Sequence, residues 1–176
     1  MCNRTSPPET LVFADAMNTV YDLIPDPLRS TLLLRLFGLA KIRFLFLSRP
    51  VVEVATRDRC VVRIPLNFWT KNHLGSMYMG VLAMGADVAG GLLAVLAAQE
   101  KKAKVIPIFK DFKADFLRRA DGDVRFVCED GAAIYDMIDR VLETGKRQNL
   151  KVDISGMVGD IEAAHFTLTL SVKPGR

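Results

Sequence analysis

Residues 77–98 constrain the fold more than any other part of the chain, because they offer a helix no polar side. These twenty-two positions are rich in Gly, Ala, Leu, Val and Met and hold one charge, Asp87. A helix of that length could cross a bilayer, and its small residues suit close helix contact. A carboxylate near its middle would cost roughly 3 kcal/mol on insertion. The flanks decide between the readings. Everything downstream patterns as water-soluble strands, and an all-round apolar helix also suits the centre of a domain. The expectation is a buried helix that needs cover on every side.

The chain can supply that cover. It has 176 residues, the size of one domain, and is 50% hydrophobic and 25% charged. Its formal charge of +4 is mild and scattered, and its aromatics form no stacking platform, so nucleic acid is not expected as a partner. Cys2, Cys60 and Cys128 are odd in number and far apart, which excludes a full disulfide framework. They fit a reducing compartment, and a cytoplasmic protein is expected. With only His73 and His165, a histidine-rich metal site is excluded, and neither a metal nor a separate cofactor is expected. Phosphate-binding glycine loops and the Gly-x-Ser-x-Gly elbow are missing.

The start, residues 1–10, is polar with Pro7 and Pro8 and does not read as a signal peptide. A helix is expected over 7–23, closed by Pro25 and Pro27, and a second from an N-cap at Ser30 to about Phe46. The greasy run 31–47 is interrupted by Arg35, Lys41 and Arg43. It reads either as a basic amphipathic helix on a membrane surface or as a helix packed on the domain. Packing is preferred, so membrane association is not expected. Strands are expected over 51–56 and 60–66, with a hairpin turn at Arg57-Asp58-Arg59. After the long helix come strands over 105–109 and 112–117, with Pro107 marking an edge or bulge, and over 124–128. A short helix over 131–143 stops at Gly145, and strands over 150–155 and 164–172 close the chain. In the last one Phe166, Leu168, Leu170 and Val172 alternate with Thr167, Thr169 and Ser171, which predicts a sheet with one covered face. Strands grouped on either side of one central helix give an α+β pattern.

The run Asn72-His73-Leu74-Gly75-Ser76-Met77-Tyr78-Met79-Gly80, followed by Gly85-Ala86-Asp87, resembles the active-site stretch of hotdog-fold acyl-CoA thioesterases. The PaaI-like group reads Asn-Pro-x-Gly-x-x-His-Gly-Gly, then four residues and Leu-Ala-Asp, and the spacing matches at Asn72, Gly75, Gly80 and Asp87 without a gap. The run is most similar to a thioesterase-like branch in which Asn-His-x-Gly-x-Met-Tyr recurs. The resemblance implies a hotdog fold, an antiparallel sheet wrapped around a long central helix. Residues 1–48 would form a helical extension with two extra N-terminal helices and 49–176 the core, within one domain. It also implies hydrolysis of an acyl-CoA or related acyl thioester, with coenzyme A entering only as part of the substrate. The protein would work as a homodimer or dimer of dimers, with an active site that crosses the interface.

Physical roles follow for these residues. The Gly80 N–H, at a helix start, suits a developing oxyanion, and Asp87 is the only ionisable group in the apolar helix. The two lie roughly 10 Å apart along one axis, so one carbonyl cannot touch both within a single copy. Small residues Ala83, Gly90, Gly91 and Ala94 would allow close approach of a second helix. Asn72 and Tyr78 would orient the substrate, with His73, Gly75 and Met79 around it. Tyr78 stands where the PaaI-like pattern has His, Met79 where it has Gly, and His73 where it has Pro.

Each residue also has a plainer reading. Asp87 could be a structural acid bonded to a loop, Asn72 with Gly75 a simple turn, and Tyr78 partly core with a bonded hydroxyl. Arg118, Arg119, Lys146 and Arg147 could meet coenzyme A phosphates or be solvated charge. Lys101 and Lys102 end the helix favourably, Phe37, Phe44 and Phe46 cover an acyl channel or the core, and His165 has no companion and is structural. The alternative function is a non-catalytic hotdog protein that binds an acyl or other hydrophobic ligand.

Overall fold

The computed structural model describes residues 26–175. The helix expected over 7–23, and Cys2, lie outside them. The first described element, α1, is Asp26–Lys41, followed after a break at Ile42 by the short α2, Arg43–Leu47. Ser30 is not a cap. The helix is already under way at Asp26, whose charge suits the first turn, and Ser30 is buried within it. Strands β1 (Val51–Ala55) and β2 (Cys60–Ile64) form a hairpin in which the Thr56 N–H donates to the Arg59 carbonyl at 2.9 Å.

Helix α3, Met79–Glu100, is the long apolar element. Strands β3 (Val105–Phe116) and β4 (Val124–Cys128) follow, then helix α4 (Gly131–Thr144), β5 (Gln148–Val158) and β6 (Ile161–Pro174). Gly145 ends α4 in the left-handed region, with φ 63°, and its N–H returns to the Val141 carbonyl. The two strands expected around 105–117 are one. A bulge between Phe109 and Phe112 interrupts its pairing with β6, and the Asp111 carboxylate fills the gap by accepting the Thr169 N–H at 2.9 Å.

All six strands pair antiparallel in the order β1-β2-β4-β5-β6-β3, which leaves β1 and β3 as edges. The sheet curls around α3, which packs against β2, β3, β4, β5 and β6. This is the α+β hotdog arrangement. The alternation read from β6 holds: Phe166, Leu168, Leu170 and Val172 are buried on the helix side. Ser171 faces the other way yet is buried too, and Arg147 donates to its hydroxyl at 3.0 Å. That contact occupies one of the cations considered for phosphate binding. Cys60 and Cys128 are free, fully buried and opposite each other across β2 and β4. Burial pushes their thiols up to about 12 and about 11, so they pack as small apolar groups.

The helix meets the sheet most tightly at Gly85, where an added Cβ would stand 2.2 Å from Cε2 of the fully buried Phe126 ring. At Gly91 the same atom would meet only Phe109, at an ordinary 3.6 Å. Gly85→Ala is therefore expected to destabilise by roughly 1–3 kcal/mol, outweighing the gain of about 1 kcal/mol in helix propensity. Gly91→Ala should be neutral or stabilising. Urea unfolding of both variants checks the contrast, and equal stability would refute the close contact at Gly85.

Candidate active site

The loop before α3 is built by its own polar side chains. Asn67 Oδ1 accepts the Trp69 N–H at 2.8 Å, and Thr70 Oγ1, fully buried, donates to the Pro65 carbonyl at 2.7 Å. Asn72 then closes the tip. Its Oδ1 accepts the N–H groups of Leu74 at 2.9 Å and Ser76 at 3.2 Å, and its Nδ2 donates to Ser76 Oγ at 3.1 Å. Gly75 supplies the φ of +81° that the turn needs. Asn72 and Gly75 thus form the turn that their residue types favour, and in this state the Asn72 side chain is engaged within the loop.

The loop is pinned from outside as well. The Met77 N–H donates to the Ala120 carbonyl at 2.7 Å, and Arg119 Nη2 to the Leu74 carbonyl at 2.6 Å. Arg119 therefore holds the loop, while Arg118, also exposed, is tied through its backbone to Ala163. The Tyr78 N–H reaches the Thr70 carbonyl at 2.8 Å and its own carbonyl accepts the first bonds of α3. No side chain caps this helix start, and the Gly80 amide has no backbone acceptor among the described residues. An unpaired donor at the positive end of a 22-residue helix is suited to an oxygen carrying negative charge.

Tyr78 departs from the expectation of a partly buried ring. It is half exposed, its hydroxyl has no partner among the described residues, and the ring lies over Gly80. An added Cβ at Gly80 would come within 2.6 Å of Tyr78 Cε1. Among the described residues no partner draws the hydroxyl inward at the start of the helix, and the ring lies against the glycine surface. Met79, His73 and Leu74 are exposed around it. So are Phe68 and Trp69, whose rings stack edge to face at 5.4 Å. That pair went unremarked in the sequence reading, although two adjacent aromatics in an otherwise polar stretch were the available signal.

Asp87 lies two helical turns further on. Gly80, Ala83, Met84, Asp87, Gly91, Val95 and Ala98 fall on one face of α3, and none of them is buried, whereas the remaining faces are packed against the sheet and α4. Gly90 and Ala94, expected on the open face, are buried instead, Gly90 against Phe109, Val152 and Ile154. Asp87 makes no hydrogen bond or ion pair among the described residues. Its side chain reaches solvent, yet protein around it displaces enough water to hold the carboxyl above its ordinary range. The reading of Asp87 as an acid bonded to a loop finds no bond to rest on.

Other polar groups stand elsewhere. His165, expected to be alone, has companions on the outer sheet face: Nδ1 is 3.0 Å from Glu162 and Nε2 3.6 Å from Asp153. Hydrogen bonds from Ser155 and then His165 hold the Glu162 carboxyl below its usual range. A cleft of about 530 Å³ opens near the far end of α3, beside Leu96, Glu100 and Tyr135, away from Asp87. Among the described residues no group of His, Cys, Asp and Glu could hold a metal ion.

The architecture matches solved structures along nearly their whole length. A Shewanella oneidensis protein described as a candidate thioesterase superposes with a TM-score of 0.72 at 14% identity, covering 82% of this chain and 98% of its own. A Pseudomonas aeruginosa protein of unknown function, described as a candidate thioesterase, gives 0.69 at 25% identity, covering 82% and 96%. Zebrafish thioesterase superfamily member 2 gives 0.57 at 16%, covering 84% and 99%. The chain thus shares the hotdog fold of these structures, several of which are described as thioesterases. Within it, residues 35–172 match one family model, and the protein belongs to that family, domain of unknown function DUF4442. No curated protein matches the chain.

The Asp87 carboxyl gives a pH signature. It holds its proton more tightly folded than unfolded, so its ionisation opposes folding. Stability is lost as pH rises from the ordinary carboxylate value towards the raised one. Asp87→Asn should match the wild type at acid pH and become relatively more stable above that window. A urea series across pH checks this, and an Asn variant weaker than wild type at neutral pH would show a stabilising partner for the carboxylate.

Proposed function

We propose that the protein hydrolyses an acyl-CoA or related acyl thioester at a site shared by two copies, in a reducing, cytoplasmic setting. The observation that carries this reading is Asp87: a carboxylate with no partner among the described residues, on the one uncovered face of a largely buried helix. Its raised pKa brings it nearer to the working range of a general base. The thioesterase descriptions of structural relatives point the same way.

The reaction needs two groups. Asp87 takes a proton from water as the water oxygen bonds to the thioester carbon, or the carboxylate attacks that carbon itself. Charge that builds on the carbonyl oxygen meets the Gly80 N–H of the other copy. On the first route collapse breaks the carbon–sulfur bond, and the proton held by Asp87 passes to the departing thiolate, leaving a carboxylic acid and a thiol. On the second the thiolate leaves an acyl–Asp87 anhydride, which a water hydrolyses to the acid and the Asp87 carboxylate while its other proton completes the thiol. No metal or other cofactor takes part. Tyr78 and Asn72 flank the site, the former through a hydroxyl that can donate to the substrate. His73, Gly75 and Met79 border it, and Arg118 and Lys146 are the remaining candidates for a phosphate.

The second copy is favoured by the edge of the sheet. β3 is a twelve-residue edge strand with Ile106, Ile108, Phe112 and Phe116 exposed, a surface that invites pairing. It runs beside the open face of α3, where a groove of about 240 Å³ is lined by Val95, Ala98, Val105 and Pro107. A dimer formed there covers the apolar stripe and brings two helices together.

Thiol release from short, long and aromatic acyl-CoAs tests the activity. Asp87→Asn is expected to lower turnover by at least about a hundredfold while remaining folded. Light scattering should show a dimer or tetramer. A strict monomer, or hydrolysis retained in the Asn variant, would overturn the mechanism, and tight binding without thiol release would favour the acyl-binding alternative.

A further inference from the structure

Helices α1 and α2 carry an outer surface unlike that of a water-facing pair. Their inner side is anchored: Thr31 Oγ1 accepts the Val52 N–H at 2.8 Å, Arg35 Nε donates to the Pro50 carbonyl at 3.1 Å, and Leu34 and Leu45 enter the core. The opposite side of α1 presents Leu28, Leu32, Leu36 and Leu39, spaced four, four and three residues apart and so aligned in one stripe. Between Leu28 and Leu47 nine large apolar side chains are 39–59% exposed. The packing expected for this run therefore consumes only one face of it.

The charge is placed with equal bias. Residues 26–50 hold Arg29, Arg35, Lys41, Arg43 and Arg49 against the single acid Asp26, a net of +4. The whole chain nets +4, so the remaining 151 residues carry 19 cations and 19 anions and net zero. The excess is concentrated here, not scattered. Arg29 lies 3.8 Å from Asp26, whereas Lys41, Arg43 and Arg49 have no ion pair among the described residues. A second copy laid on this face would set +4 against +4. The surface calls for a partner that is apolar and anionic together.

We propose that α1 and the α1–α2 corner dock the protein on an anionic phospholipid surface. The leucine stripe enters the boundary of the acyl chains, and Lys41, Arg43 and Arg49 meet lipid phosphates. This contact is independent of the thioesterase reading, since it involves neither Asp87 nor Gly80. It also differs from a transmembrane anchor: the one helix among the described residues long and apolar enough to span a bilayer is α3, which is mostly buried.

Flotation of the full chain with phosphatidylcholine vesicles, with and without phosphatidylglycerol, tests the proposal. Wild type should float with the mixed vesicles and be released by salt. Leu32→Glu combined with Leu36→Glu should abolish flotation, and Lys41→Glu with Arg43→Glu should weaken it by about tenfold or more. The charge pair lies on the exposed corner and serves as the readout should the leucine variant lose its circular dichroism spectrum. Failure of the wild type to float overturns the proposal, as does flotation indifferent to phosphatidylglycerol or to the charge variants. A leucine variant that changes oligomer size while the wild type stays off vesicles assigns the face to a second copy instead.

Discussion

The structure depends on covering a helix that has no polar side. Eleven residues of α3 are buried, and its contacts with β2 through β6 and with α4 remove most of its surface from water. Each fully buried Leu or Val contributes about 1.5–3 kcal/mol, so the wrapping of the sheet is driven by this one element. A six-stranded sheet curls only so far. The face holding Gly80, Asp87, Gly91 and Ala98 stays open, and the one charge that the helix carries before its final residue, Glu100, sits on it. Had Asp87 fallen one position to either side, in the place of Ala86 or Val88, it would have been buried, where an unpaired carboxylate is far more costly. The location of the acid and the limit of the sheet are one constraint seen twice.

Much of this was legible because it rests on local chemistry. The alternation of Phe166, Leu168, Leu170 and Val172 fixes which face of β6 is inward, and Gly145 stops α4 because its backbone adopts a conformation that other residues resist. The turn at Arg57-Asp58-Arg59 follows from the same logic. What escaped depends on distant partners. β3 continues through a polar interruption because Asp111 bonds to Thr169, fifty-eight residues away. Ser30 has a capping side chain but sits inside a helix that begins four residues earlier.

The candidate site divides along the same line. Spacing located Asp87 and Gly80 on one face, and an Asn-x-x-Gly turn could be read directly. No local rule could show that Arg119 would hold the Leu74 carbonyl, nor that Tyr78 would lie over Gly80. His165 looked solitary because Glu162 and Asp153 reach it through the register of β5 with β6 and through a short return along β6. The exposed leucines of α1 were equally ambiguous, since a repeat of apolar residues does not say which of two faces the domain will take.

The segment from Leu117 to Ala120 leaves the exposed edge strand and at once grips the loop that aims the first amides of α3, through Met77 and Leu74. Force applied along that strand is therefore transmitted across a few short bonds to the helix mouth. A change that shifts the strand exit therefore also re-aims the amides at the start of the helix, although the two lie about forty residues apart in the chain.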